Sequence, residues 1–309
     1  LMIQKMTHKM TISRNRDMNC YVIDIGTNSC RLMYAALNES GVSCFYKKVI
    51  TARTGEGVNE TKLLCKNAIL RTVSAVCEFY HAAKLEDPHA KVYCFATSAT
   101  RDAFNRDELL KAIQDKTGII VDVLSGQTEA EIGFIGAVGM RHGGLLDIGG
   151  GSTEVAFGKG GERDYYKSFD IGAVRALDMF KQNVKKTIDY SASLFCALPC
   201  FDADFYACGG TCTTLAAMVQ ELKIYDPSKT NGFILKKQDV LSLFKRVLPM
   251  DIERRRMLPG LQPERADIIV HGMGILLAFF DSTNTQSVIV SEEDNMEGYL
   301  KYLLKNNLL

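Results

Sequence analysis

The 309-residue chain contains no tryptophan, only six prolines and no C-x-x-C pair among its ten cysteines. It also lacks an excess of either charge, with 37 Lys and Arg against 36 Asp and Glu. Each absence excludes something. A near-neutral balance argues against a general nucleic-acid binder, which needs a basic surplus to neutralise phosphates. The longest uninterrupted apolar run, Ile275 to Phe280, falls far short of the ~20 residues of a membrane span. At 47% hydrophobic residues, the chain is too apolar to be disordered as a whole. Neither nucleic acid nor membrane is expected as a partner. At roughly 150 residues per domain, the length suggests two domains, each able to bury a core.

The cysteines refine the setting. Most stand among apolar neighbours, as Cys94 does in Val92-Tyr93-Cys94-Phe95, and are expected to be small core residues. Cys196/Cys200 and Cys208/Cys212 are each four apart, a spacing that on a helix would place each pair on one face, but no His lies near either pair to complete a zinc site. Free thiols without a secretory leader imply a reducing, cytoplasmic location. Residues 1–17 are basic and Met-rich, and are expected to be a disordered N-terminal extension, with Met18 as an alternative start and a transit peptide as the other reading.

An internal repeat organises the rest. Tyr21-Val22-Ile23-Asp24-Ile25-Gly26-Thr27-Asn28-Ser29 recurs as Gly144-Leu145-Leu146-Asp147-Ile148-Gly149-Gly150-Gly151-Ser152, and Asp24 and Asp147 are offset by 123 residues. Each copy reads as an apolar strand ending in Asp, a small polar turn and a second strand (Cys30 to Leu37, and Thr153 to Phe157). Glycine lets backbone amides approach a ligand closely, and successive amides form an anion-binding nest. The hydroxyls of Thr27, Ser29, Ser152 and Thr153 and the Asn28 amide add donors. Asp24 and Asp147 would repel phosphate, so they are read as holding Mg²⁺ or orienting water. One such hairpin is weak evidence, because Asp and Gly favour turns anyway. Two hairpins a domain apart read as a polyphosphate clamp across a cleft.

Two further segments follow this pattern. Lys91 to Thr97 reads as a buried strand, after which Ser98 or Thr100 caps a helix and Arg101 stands at a carboxyl edge of the sheet. Ligands bind at that edge in open α/β folds, and the guanidinium fork suits phosphate. The alternative is a surface arginine paired with Asp102 or Asp107. Ile119 to Leu124 reads as another strand, followed by Thr128-x-x-Glu131 as a capping box. Glu129 then opens the helix, either compensating its dipole or serving as a base for water. Spacing alone leaves that choice open. Later, Ile268 to Phe280 reads as a buried helix, Ser287 to Val290 as a strand, and Met296 to Leu304 as a helix returning to the first domain.

These residues resemble the exopolyphosphatase/guanosine pentaphosphate phosphatase (Ppx/GppA) family in its short two-domain form. The resemblance is carried by Asp24 to Ser29, Ala96-Thr97-Ser98-Ala99-x-Arg101-Asp102-Ala103-x-Asn105, Ser125-Gly126-x-x-Glu129-Ala130 and Asp147 to Glu154. Gly209-Gly210-Thr211-x-Thr213-Thr214-Leu215, and Glu264-Arg265-Ala266-Asp267 with Gly272, extend it. It implies an α/β actin-like (ribonuclease H-like) fold of duplicated domains with the active site between them: domain I over 18–132 plus a terminal helix over 296–309, and domain II over 133–295. It implies hydrolysis of terminal phosphate from inorganic polyphosphate or of the 5′-phosphate of pppGpp, with Mg²⁺, and admits a homodimer. Catalytic positions fall on Glu129, Asp147 and Glu154, and metal positions on Asp24, Asp147 and Glu154. Phosphate-binding positions fall on Gly26, Thr27, Asn28, Ser29, Arg101, Gly149, Gly150, Gly151, Ser152 and Thr153, with the Gly209-Gly210-Thr211 loop. The five histidines include no His-Asp pair, so the helical region with His-Asp motifs found in larger members is expected to be absent. Rival readings on the same fold are a kinase or ATPase, and a filament-forming or pppGpp-binding protein without turnover.

Overall fold

The computed structural model describes residues 18–38 and 41–309; the expected extension over 1–17 lies outside them. β1 (Met18–Ile25), β2 (Cys30–Asn38), β3 (Gly41–Ile50), β4 (Lys91–Ala96) and β5 (Asp122–Val123) form a five-stranded sheet in the order β3-β2-β1-β4-β5. β6 (Gly143–Ile148), β7 (Thr153–Lys159), β8 (Glu162–Phe169), β9 (Phe205–Cys208), β10 (Ile234–Lys236) and β11 (Ser287–Val290) form a second, in the order β10-β11-β9-β6-β7-β8. Read from β8, the second order repeats the first and adds β10 at the edge. In both sheets the leading three strands are antiparallel, and the first runs parallel to the fourth. This is the actin-like, ribonuclease H-like topology in duplicate. The repeat predicts it because β1 and β6 carry almost continuous apolar runs, as strands covered on both faces do.

The first sheet packs one face on the helix Lys66–Glu86 and the other on the helix Asn295–Lys305. Met296, Tyr299, Leu300 and Leu303 share a core with Cys20, Val22, Met33 and Phe95. That last helix also lies along the helix Gly126–Ala137, where Gly136 and Gly298 let the backbones meet. A Cβ on Gly298 would fall on the Ile132 carbonyl, and one on Gly136 on the Asp294 carbonyl. The position between residues 132 and 133 lies inside the helix Gly126–Ala137, which sends Ile132 into the first core and Phe134 into a cluster with Leu145 and Ala156. The largest core surrounds the helix Ile269–Thr283, buried from Ile269 through Phe280.

Several local expectations need correction. The strand expected over 119–124 is only Asp122–Val123. Gly118 ends the preceding helix at φ +73, Ile119 donates to Thr117 Oγ1, and Ile120 is exposed, so two residues remain to pair with β4. The N-cap position of the helix after β4 falls on Thr97, whose side chain makes no capping bond, and Ser98 is already inside the helix. The helix carrying Glu129 begins three residues earlier than the proposed box. Ser125 is its cap and accepts from the Thr128 amide at 3.0 Å, while Glu131 pairs with Arg163 at 3.2 Å. Glu129 is therefore the fourth helical residue, still within the first turn, and not at the first helical position. Gly209, Gly210 and Thr211 are not a loop but the opening turn of the helix Gly209–Val219. Of the cysteines, Cys20, Cys30, Cys94, Cys208 and Cys212 are buried, whereas Cys196 and Cys200 are exposed and not on one helix.

Candidate active site

A cleft of about 520 Å³ lies between the two sheets. The β1–β2 and β6–β7 turns close on identical bonds: Gly26 N donates to Ser29 O at 3.1 Å, and Gly149 N to Ser152 O at 3.0 Å. The tips touch. A Cβ on Gly150 would lie 3.0 Å from Thr27 Cβ, and one on Gly151 2.7 Å from Thr27 Oγ1. Among the described residues, the amides of Thr27, Asn28, Ser29, Gly150, Gly151 and Ser152 donate to no backbone carbonyl. All six residues line the cleft, and such successive free amides make a nest of donors with anion-binding character. The helix Gly209–Val219 adds its N-terminus, and Gly209 at φ +79 sits so close to Asp147 that a Cβ would collide with Oδ1.

Of the residues singled out in the sequence, Asp24, Gly26, Thr27, Asn28, Ser29, Glu129, Asp147, Gly149, Gly150, Gly151, Ser152, Gly209, Gly210 and Thr211 all line this cleft. Three do not. Thr153 is fully buried with its hydroxyl donated to the Ile171 carbonyl at 2.6 Å, so it is a strand residue and not a phosphate ligand. Glu154 stands opposite Asp147 on the neighbouring strand and accepts from Ser168 Oγ at 2.6 Å. Arg101 bonds Glu129 Oε2 at 2.8 Å and the Leu124 carbonyl at 3.1 Å, so it holds Glu129 in place.

The carboxylates are unevenly compensated. Asp24 stands opposite Arg31 in the β1–β2 register, and Asp147 stands opposite Glu154 in the β6–β7 register. Arg31 grips Asp24 through Nε at 2.8 Å and Nη2 at 2.5 Å, and reaches Asp294 through Nη1 at 2.5 Å. Lys47 joins this group at 2.8 Å from Glu297 and 3.5 Å from Asp294. Burial opposes ionisation of Asp294, but Arg31 and Lys47 hold its carboxyl down to about 2. Among the described residues no cation bonds Asp147 or Glu154, which accept from Asn295 and Ser168. Burial pushes Glu129 up to about 7 against the pull of Arg101, with Asp147 and Asp24 adding to the rise. Asp147 is pushed up to about 6, again by burial, with Arg31 opposing. Burial also drives Glu154 well above the usual range, reinforced by Glu129 and Asp147.

Arg31, Lys47, Asp294, Asn295 and Arg265 are site residues that the sequence reading missed. Asn295 Nδ2 donates to Asp147 Oδ2 at 3.1 Å. Arg265 lies against Gly210, where a Cβ would collide with its guanidinium, and its only side-chain bond among the described residues runs from Nε to Gln262 Oε1 at 2.8 Å. A cation left this free beside a helix N-terminus suits an anion. Arg31 had a readable signal, since it follows Asp24 by the same seven residues that separate Glu154 from Asp147.

The Ppx/GppA phosphatase family model matches residues 35–307. The chain belongs to this family. It is 30% identical to exopolyphosphatase 2 of Mycobacterium tuberculosis, over 89% of this chain and 95% of that protein. It is 31% identical to the bifunctional 3-dehydroquinate synthase/phosphatase of Fusobacterium nucleatum, over 89% of this chain but only 45% of that protein. Among solved structures, the Ppx/GppA family member of Aquifex aeolicus superposes with a TM-score of 0.78 at 27% identity, covering 94% of this chain and 99% of the other. An exopolyphosphatase from Cytophaga hutchinsonii gives 0.81 at 25% identity, covering 95% and 99%. No helix among the described residues is long and apolar enough to cross a membrane.

Among the same residues no three of His, Cys, Asp and Glu are grouped to hold a metal ion on their own, so Asp24, Asp147 and Glu154 do not form a closed cage. Magnesium asks for less: one or two carboxylates, with water and phosphate oxygens completing the shell. Asp24 Oδ1, buried without a hydrogen-bond partner among the described residues, and Asp147 in the same cleft fit that demand.

Proposed function

We propose that this family member hydrolyses terminal phosphoanhydride bonds of inorganic polyphosphate or removes the 5′-phosphate of pppGpp. The observation that carries the reading is the place of Glu129, which lines the cleft, is held by Arg101 and has its carboxyl pushed up to about 7. A base works best with its pKa near the working pH, and a glutamate there can take the proton of an in-line water. The two turns, the N-terminus of the helix Gly209–Val219 and the Arg265 guanidinium hold the phosphate oxygens. Phosphoryl transfer asks little else of a protein than positioning and charge compensation. Mg²⁺ held by Asp24 and Asp147 would supply charge neutralisation on the phosphate chain. The relatives named as exopolyphosphatase 2 and as guanosine-5′-triphosphate,3′-diphosphate pyrophosphatase support both substrates. Ten free cysteines accord with a cytoplasmic setting.

The test is phosphate release from short polyphosphate, long polyphosphate and pppGpp, each with and without Mg²⁺. Release from at least one substrate, dependent on the cation and lost in Glu129→Gln, is expected. Absence of release from all three overturns the reading.

A further inference from the structure

Two arginines connect the lobes in a reciprocal pattern. Arg53 belongs to the first lobe, and its backbone N–H donates to the Asn28 carbonyl of the first turn at 2.8 Å. Its guanidinium crosses to the second lobe, with Nη1 on Asp267 Oδ2 at 2.9 Å and Nη2 on the Glu264 carbonyl at 3.1 Å. Those two residues flank Arg265. Arg175 belongs to the second lobe and does the converse. Its Nε donates to the Gly151 carbonyl of the second turn at 2.6 Å, and its Nη2 meets Asp102 Oδ2 of the first lobe at 2.5 Å. Asp102 follows Arg101, the residue that holds Glu129.

Each arginine is thus fixed to the phosphate turn of its own lobe and grips the other lobe next to a site arginine. Arg53 adopts φ +49, a region that residues with a Cβ rarely occupy, and the bond to Asn28 retains it there. Exposed ion pairs contribute little, but the Arg175 and Asp102 side chains are only 10% and 19% exposed. Opening the lobes would break the Arg175–Asp102 pair and leave Asp102 only the longer contact to Arg101 Nε at 3.6 Å.

We infer that Arg53 and Arg175 are positioning residues that couple lobe closure to the geometry of the phosphate turns. Glu129, through Arg101, and Arg265 come into register with a bound oligophosphate only when both ties are made. The inference rests on reading the cleft as a phosphate clamp.

The test uses Arg53→Gln, Asp267→Asn, Arg175→Gln, Asp102→Asn and the two double variants within each tie. Kinetics are measured on inorganic tripolyphosphate, and small-angle X-ray scattering on the ligand-free proteins. Misplacement by about 1 Å costs as much as 10²-fold, so each single variant is expected to lose about 10–100-fold in kcat with KM changed less. Within a tie the double variant loses no more than its worse single, because both substitutions break one interaction. The radius of gyration rises above that of the wild type. Unchanged kcat, losses that multiply within a tie, or an unchanged radius overturns the inference. The exposed Arg53 keeps the test available if Arg175→Gln fails to fold. A wild type that releases no phosphate sinks the functional reading instead, and scattering still decides the ties.

Discussion

Asp147 and Glu154 face each other across β6 and β7 as two buried carboxylates directly opposite on neighbouring strands. The duplicated hairpin puts Arg31 in the place of Glu154, so Asp24 is neutralised and Asp147 is not. One topology therefore yields a lobe whose carboxylate is paired with an arginine and a lobe whose two carboxylates lack a cation among the described residues. The cation demand of the cleft arises from that difference.

Like charges directly opposite on strands destabilise by about 0.2–1 kcal/mol. Glu154→Gln is expected to raise the thermal midpoint at pH 8. The gain should shrink at pH 5, where the raised Glu154 and Asp147 carboxyls take up protons. Calorimetry at both pH values checks this, and a lower midpoint at pH 8 contradicts it.

Glu129→Gln should keep the fold and lose about 10²–10⁴-fold in kcat, the usual contribution of general-base catalysis. In the wild type, kcat/KM should climb as pH passes about 7, where the Glu129 carboxyl ionises. Stability should move the opposite way. The folded protein holds this proton more tightly than the unfolded chain, whose glutamate titrates near about 4.3. The contribution of Glu129 to stability is thus present at low pH and fades as pH rises to about 7. Glu129→Gln should therefore compare best with the wild type at pH 8 and worst at pH 5, as read from denaturant midpoints.

Arg31 supports two carboxylates at once. Arg31→Met strands Asp24 and leaves Asp294 with Lys47 alone, and an uncompensated buried charge of this kind costs about 3–5 kcal/mol. A urea titration should show that loss at pH 8. A loss below about 1 kcal/mol would mean that water reaches and screens these groups, as it does for exposed pairs.

Cation binding should register without turnover. Mg²⁺ at a hundredfold excess over its Kd stabilises a folded protein by about 2.7 kcal/mol. A rise in thermal midpoint is expected for the wild type and should be largely lost in Asp147→Asn. Equal rises in both proteins would place the ion elsewhere.

Gly298→Ala inserts a methyl onto the Ile132 carbonyl. Overpacking costs about 1–3 kcal/mol, and here the obstacle is backbone, which yields less than a side chain. Denaturation should show at least that loss, with a parallel fall in activity because the displaced helix carries Glu129.

What the sequence revealed was what neighbours in sequence decide. Both turns and their strands are legible because Asp, Gly and a hydroxyl recur at fixed spacing, and a strand–turn–strand unit fixes its own register. The Glu129 helix was read three residues late because Thr128-x-x-Glu131 and Ser125 are both acceptable caps locally. Arg163, distant in sequence, decides between them by taking Glu131. Thr153 looked like a donor to phosphate because hydroxyls beside glycine turns often are, yet alternation along β7 turns it towards Ile171. The Arg31–Asp294 contact in the floor of the cleft was not legible, since the two residues are 263 apart in sequence.

That separation has a consequence for biosynthesis. A ribosome makes β1, β2 and the Glu129 helix long before it reaches Asp294 and the helix that covers their sheet. Until then Arg31 has Asp24 alone, and the apolar face formed by Val22, Met33 and Phe95 lacks its lid. The nascent first lobe keeps that face uncovered until the second lobe is translated, and apolar surface exposed in this way during synthesis is prone to aggregation.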